Sequence, residues 1–201
     1  LADRNRRTAS YTRKTRETSV EASWDLDGSG SCTVATGIGF LDHLIDQVAR
    51  HGIFDISVQA KGDLDVDPHH TVEDVGIAMG RAFAEAVGDA KGIVRMADAL
   101  VPLDDALAQV AVDISGRGYA TISIEWTGDR IGEMPCDLVD HLLQSFASEG
   151  RFNLNVRVIA GVNDHHKAEA AFKALARALC LATRLEPRRA GQTPSTKDAL
   201  G

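Results

Sequence analysis

Two short stretches of this chain hold the same reactive residues. Residues 69–73 read His69-His70-Thr71-Val72-Glu73, and residues 165–169 read His165-His166-Lys167-Ala168-Glu169. Each is preceded by an Asp-His-Leu triplet, Asp42-His43-Leu44 and Asp140-His141-Leu142. Six of the seven histidines thus fall in a duplicated pattern, which is the main argument for a pair of metal sites. Imidazole and carboxylate without thiolate form a donor set for Mn, Fe, Co, Ni or Zn. On a helix, residues four apart share a face, so His69 can act with Glu73 and His165 with Glu169. His70 and His166 point roughly 100° away and would reach a different ion. Pseudo-symmetry suggests a swap, with one site built from His43, His69, Glu73 and His166 and the other from His141, His165, Glu169 and His70. A single His-x-x-x-Glu would read as a solvated helix face, but two copies in register point to metal. Asp42 and Asp140 either orient the neighbouring rings or are solvated helix acids.

The elements that must position these residues repeat as well. Residues 15–26 read as a strand, Asp27-Gly28-Ser29-Gly30 as a turn and 32–36 as a second strand, together a hairpin. Ile38, Leu41, Ile45 and Val48 recur at helical spacing up to Gly52. A strand at 53–60 and the turn Lys61-Gly62-Asp63 follow, with room for a short strand. Asp67-Pro68 then opens a helix over 69–87, since Asp caps free amides and Pro suits the first helical position. The second half reads as strands at 108–114 and 119–126 around Ser115-Gly116-Arg117-Gly118, a helix ending near Gly150, a strand at 152–160, and a helix over 165–184 capped by Asn163-Asp164. The predicted class is α+β, a tandem duplication of a sheet-plus-two-helices unit. The halves span 1–97 and 98–186 within one compact domain, and an irregular tail spans 187–201.

Bulk properties narrow the choice. A chain of 201 residues with 44% hydrophobic and 25% charged residues is ordinary for a soluble globular protein. The net charge of -7 argues against a nucleic-acid binder, and no apolar run is long enough for a membrane span. No secretory signal is visible. Cys32, Cys136 and Cys180 form no Cys-x-x-Cys pair and read as reduced thiols of a cytoplasmic protein. Residues 1–16 hold six basic residues and one acid. They read as a frayed, solvated terminus or as a contact to phosphate or a neighbouring chain.

The sequence resembles the imidazoleglycerol-phosphate dehydratases of histidine biosynthesis. The matching stretches are Arg16-Glu17-Thr18, Phe40-Leu41-Asp42-His43-Leu44 with Gln47, His69-His70-Thr71-Val72-Glu73-Asp74, Val101-Pro102-Leu103-Asp104, Asp113-Ile114-Ser115-Gly116-Arg117, His165-His166-Lys167-Ala168-Glu169-Ala170, Phe172-Lys173-Ala174 and Pro194-Ser195-Thr196-Lys197. Asp198 departs from the pattern, because the family usually has Gly after that Lys; this bears on the turn of the tail. The resemblance implies the fold of the second domain of a ribosomal small-subunit protein, two manganese ions (Mn2+) per site, and a hollow homo-24-mer with sites between subunits.

It also implies a small phosphorylated imidazole substrate, which loses water although no carbonyl acidifies the C–H to be broken. Lewis acids on both ring nitrogens would favour the imidazolate, which can expel the adjacent hydroxyl to give a diazafulvene. Loss of the neighbouring proton then gives an enol and finally the ketone. Glu17 is the first candidate for the base, because the family places this acid at the substrate. Glu73 and Glu169 are catalytic candidates as ligands and poorer bases. Lys173 lies one turn beyond Glu169 and points toward the same ion; its counterpart in the first half is Ile77. Arg95, Arg117, Ser195 and Lys197 are further candidates for the phosphate, and Gln47 and His51 for lining the pocket. Rival readings are a dinuclear hydrolase, a non-catalytic metal-binding protein and an RNA-binding module.

Overall fold

Val20, Ala22 and Trp24 alternate with more exposed neighbours along β2 (Ser19–Asp25), and Ile56 and Val58 do the same along β4 (Asp55–Lys61). These half-apolar strands become the middle of a four-stranded sheet, because their apolar side needs cover and their backbone needs partners on both flanks. The edges are β1 (Thr8–Lys14) and β3 (Cys32–Ala35), in the order β1-β2-β4-β3. The second sheet repeats the plan with β5 (Met96–Leu103), β6 (Ala106–Asp113), β7 (Tyr119–Ser123) and β10 (Asn153–Ala160), in the order β5-β6-β10-β7. A small ribbon, β8 (Arg130–Ile131) with β9 (Met134–Pro135), precedes the third helix. The computed structural model describes residues 6–201.

Each sheet carries two helices on one face. In the first half these are α1 (Gly39–Gly52) and α2 (His69–Val87); in the second, α3 (Cys136–Glu149) and α4 (Asp164–Thr183). The helices of one half pack on those of the other, α2 against α3 and α1 against α4, so four helices fill the layer between two sheets. Trp24 anchors this layer. Its ring stacks on Phe146 with centroids 5.9 Å apart and meets Phe54 and Phe83 edge-on at 5.2 and 5.3 Å.

The α2–α3 seam is tight because Gly76 and Gly80 face it. A Cβ on Gly80 would lie 2.7 Å from both Gly150 N and Phe146 O, backbone atoms that cannot swing away. Gly80→Ala should therefore lower stability by about 2 kcal/mol, since overpacking outweighs the gain in helix propensity. A reduced urea midpoint with unchanged metal content would bear this out.

The duplicated α+β unit stands as expected, and the helices fall within a residue or two of their expected limits. Strand pairing differs. β2 and β3 are not a hairpin: β2 pairs antiparallel with β1 and β4, and β3 runs parallel to β4. Likewise β7 pairs in parallel with β10, so 115–118 is not a hairpin turn. Within the two sheets the hairpins are β1–β2 and β5–β6. Both β1 and β5 were hidden in the sequence because their compositions do not read as strands. β1 is polar and basic rather than a frayed terminus, and β5 contains Pro102, which an edge tolerates since no ladder donor is lost there. Of the charged residues expected in a solvated terminus, Asp3 and Arg4 lie outside the described residues. No short strand follows Lys61-Gly62-Asp63 before α2, and the tail includes a 3-10 turn at Pro187–Arg189. Among the described residues, no helix is long and apolar enough to cross a membrane, and the three cysteines are free thiols.

Candidate metal centre

The first turns of α2 and α4 present the doubled histidines. Asp67 Oδ1 accepts from His69 N at 2.7 Å, one residue further from the helix than a cap at Pro68 would be, and Asn163 Oδ1 accepts from His165 N at 2.9 Å. Both contacts satisfy free amides of a helix start. Four-residue spacing then brings each histidine to its glutamate. His165 Nε2 donates to Glu169 Oε1 at 2.8 Å, and His43 Nε2 reaches the same oxygen at 2.9 Å. Across the pseudo-twofold, His69, Glu73 and His141 converge, with His141 Nε2 3.3 Å from Glu73 Oε1. In each trio the donor atoms lie within 4.8 Å of one another, so either could hold a metal ion.

The grouping differs from the expected swap. His43 joins His165 and Glu169, not His69 and Glu73, and His141 joins His69 and Glu73. The reason is the helix layer: α1 packs on α4 and α2 on α3, so each Asp-His-Leu triplet faces the glutamate helix of the opposite half. His70 and His166 do turn away, as their angular offset requires, but they join neither trio within the chain. His70 Nδ1 bonds to Asp63 Oδ2 at 3.0 Å, and His166 Nδ1 to Asp105 Oδ1 at 2.6 Å. Asp104 stands 3.5 Å from His166 Nε2.

The donor chemistry fits a cation. Burial opposes the charge of Glu169, yet hydrogen bonds from Lys173, His43 and His165 outweigh it and bring the carboxyl down to about 2. It is therefore ionised at any neutral pH. His141 Nε2 is buried and, despite the nearness of Glu73, makes no hydrogen bond, an arrangement suited to a metal ligand. Asp42 and Asp140 do not touch these rings. Asp42 accepts from Thr36 N and Oγ1, fixing the entry to α1, and Asp140 accepts from Trp126 Nε1. Burial pushes Asp140 up to about 6 against the lowering effect of that bond.

The remaining candidates fall in three places. Lys173 Nζ contacts Glu169 Oε2 at 2.7 Å, and His51 Nε2 bonds to Gln47 Oε1 at 3.1 Å along the neighbouring face of α1. Burial, and then the charges of Lys173 and Arg177, hold His51 below its ordinary pKa. Glu17 is exposed in the β1–β2 turn near His70. The hydrogen bond that His70 donates to Asp63 raises its pKa, and the charge of Glu17 adds to that effect. Arg95, Arg117, Ser195 and Lys197 line one cavity of about 540 Å³ together with Arg189. Arg95 is tied there to Asp113 at 2.7 Å and to Pro194 O at 2.7 Å. That cavity shares no lining residue with either trio.

Sequence reasoning gave no role to Asp63, Asp105 or Arg189. The Asp104-Asp105 pair is a turn signal, and it was legible only once β5 was seen as a strand. Asp198 has φ 53°, a left-handed conformation that favours Gly and that Asp tolerates. Asp198 N donates to Ser195 O at 3.2 Å within the tail turn.

Known proteins resemble this chain in sequence and fold. The imidazoleglycerol-phosphate dehydratase family model matches residues 36–179. The chain is 56% identical over 195 residues to imidazoleglycerol-phosphate dehydratase of Dehalococcoides mccartyi, covering 97% of this chain and 98% of that one. It is 54% identical over 194 residues to that of Roseiflexus sp., covering 96% and 98%. The crystal structure of the Staphylococcus aureus enzyme superposes with TM-score 0.79 at 31% identity, covering 88% of this chain and 99% of that one. The Pyrococcus furiosus structure, a complex with (S)-C348, gives 0.81 at 31%, covering 94% and 99%. A duplicated fold, two His/His/Glu trios and near full-length identity above one half lead to one conclusion: the chain belongs to the imidazoleglycerol-phosphate dehydratase family and is a hydro-lyase.

Proposed function

We propose that this protein dehydrates imidazoleglycerol phosphate to imidazole acetol phosphate in histidine biosynthesis, as a cytoplasmic enzyme using two manganese ions per site. The observation behind this reading is the pair of His/His/Glu trios related by the internal duplication. Manganese bound there would supply Lewis acidity to the two ring nitrogens of the substrate, on which the imidazolate route set out above depends. The chain's own groups do the rest. Glu17 takes the proton from the carbon beside the leaving hydroxyl. Lys173 orients Glu169 and offers a cation to the substrate, while Gln47 and His51 line the ring's surroundings. Arg95, Arg117, Ser195 and Lys197 hold the phosphate through charge-assisted hydrogen bonds.

These groups complete a site between copies of the chain. Among the described residues, no fourth donor joins either trio. His70 and His166, gripped at Nδ1 by Asp63 and Asp105, keep Nε2 for coordination to an ion held by a neighbour. The homo-24-mer that the family resemblance implies would supply such neighbours.

The test is turnover of imidazoleglycerol phosphate by metal-stripped protein with and without added manganese. Manganese-dependent release of the keto product is expected. No product, with two metals bound per chain, would reject the reading. In the loaded enzyme, Lys197→Ala should raise KM about 10- to 100-fold, the worth of a hydrogen bond to a charged group, and leave metal content unchanged. Loss of metal would contradict a phosphate role.

A further inference from the structure

Asp74 is a charged residue at the heart of the first half for which the reaction above gives no role. It is 4% exposed and follows Glu73 directly on α2. Its Oδ1 accepts from Arg13 Nε at 2.6 Å, and its Oδ2 accepts from the hydroxyl of Thr18. Arg13 and Thr18 stand on either side of the β1–β2 turn. Among the described residues, the turn's other hydrogen bonds run within it. Thr15 N donates to Thr18 O at 2.9 Å, and Thr15 Oγ1 accepts from Glu17 N at 3.2 Å and Thr18 N at 3.0 Å. The exposed Glu17 thus sits on a small polar turn whose side-chain anchor on α2 is Asp74. The approach is close: a Cβ on Gly62 would fall 2.0 Å from Thr71 Oγ1 and 3.4 Å from Thr18 Cγ2.

The second half has no such anchor. The position matching Asp74 is Ala170, and the β5–β6 turn supplies its own acid instead. Asp105 accepts from Val162 N at 2.5 Å, from Asn163 N at 3.0 Å and from His166 Nδ1. In the first half the ring of His70 is held from elsewhere, by Asp63 after β4. The duplication has thus diverged: one hairpin turn is spent on orienting a histidine, and the other is left to present a free carboxylate.

We infer that Asp74, through Thr18 and Arg13, is a positioning residue that fixes the Glu17 turn against the helix bearing Glu73. This rests on the reading of Glu17 as the proton acceptor. A carboxylate on an unanchored turn would spend less time at the substrate carbon, and a displacement near 1 Å can cost about 100-fold in rate.

The experiment uses manganese-loaded, assembled protein and four forms: wild type, Thr18→Val, Glu17→Gln and the double variant. Thr18→Val removes the hydroxyl, which also lies 3.1 Å from Thr15 Oγ1, and leaves the Arg13–Asp74 pair, so it is a milder change than Asp74→Ala. Thr18→Val is expected to lower kcat about tenfold or more with KM and metal content little changed. In the Glu17→Gln background the same change is expected to have no further effect on kcat. Additive losses, or loss of metal in Thr18→Val, would overturn the positioning role while leaving Glu17 as the base. Full activity in Glu17→Gln alone would reject the base assignment itself, and the positioning role with it.

Discussion

Glu169→Gln is expected to abolish measurable turnover and to weaken manganese binding at its trio by about 100-fold or more. Losing a residue that merely supports a ligand costs about 10- to 100-fold in affinity or activity, and Glu169 is itself the proposed ligand. One oxygen of this carboxylate faces both His43 and His165, and the other faces Lys173. An amide cannot balance that positive surrounding, and its NH2 group would turn a donor toward an ion or a lysine. Metal content per chain and kcat/KM are the readouts; full metal content with wild-type affinity would exclude Glu169 as a ligand. The same variant should alter the acid limb of stability in metal-free protein. Glu169 titrates at about 2 in the fold, below its ordinary value of 4.5. Its contribution is therefore fully present above the unfolded-state value and fades as pH falls toward the folded one. Glu169→Gln should flatten the loss of stability between about pH 5 and 2.

Glu17→Gln is expected to lower kcat by about 100- to 10,000-fold, the range for removing a general acid or base, with metal content and KM near wild type. Glu17 makes no contact with either trio, so neither metal binding nor the fold should respond. Single-turnover kinetics with substrate deuterated at the carbon that loses its proton would sharpen the result. The isotope effect on the chemical step should grow in the variant if proton removal has become slower. Wild-type kcat would move the base to another group, such as Asp104, 3.5 Å from His166 Nε2 on the opposite hairpin.

The two acids were legible in different ways. Glu169 could be read from spacing, since four residues on a helix fix a shared face whatever surrounds it, and the duplicate at Glu73 removes chance as an explanation. Glu17 lies on a polar turn between a basic strand and an alternating one, and nothing local marks it. Only the resemblance to a family singled it out, and only the fold shows what anchors its turn.

The sequence by itself determined the four helices and their limits, the shared face of each His-x-x-x-Glu pair and the turning of His70 and His166 away from it. All of these follow from local periodicity and capping, which act within a few residues. Tertiary structure decided which histidine meets which glutamate, because α1 packs on α4 and α2 on α3 across the pseudo-twofold. It also decided the strand order, since edge strands such as β1 and β5 need little apolar pattern of their own and take their register from the partner strand. The anchoring acids Asp63, Asp74 and Asp105 belong to this second group. Each acts on a residue distant in the chain or on another element, and a hydrogen bond across such a gap leaves no periodic trace in the sequence.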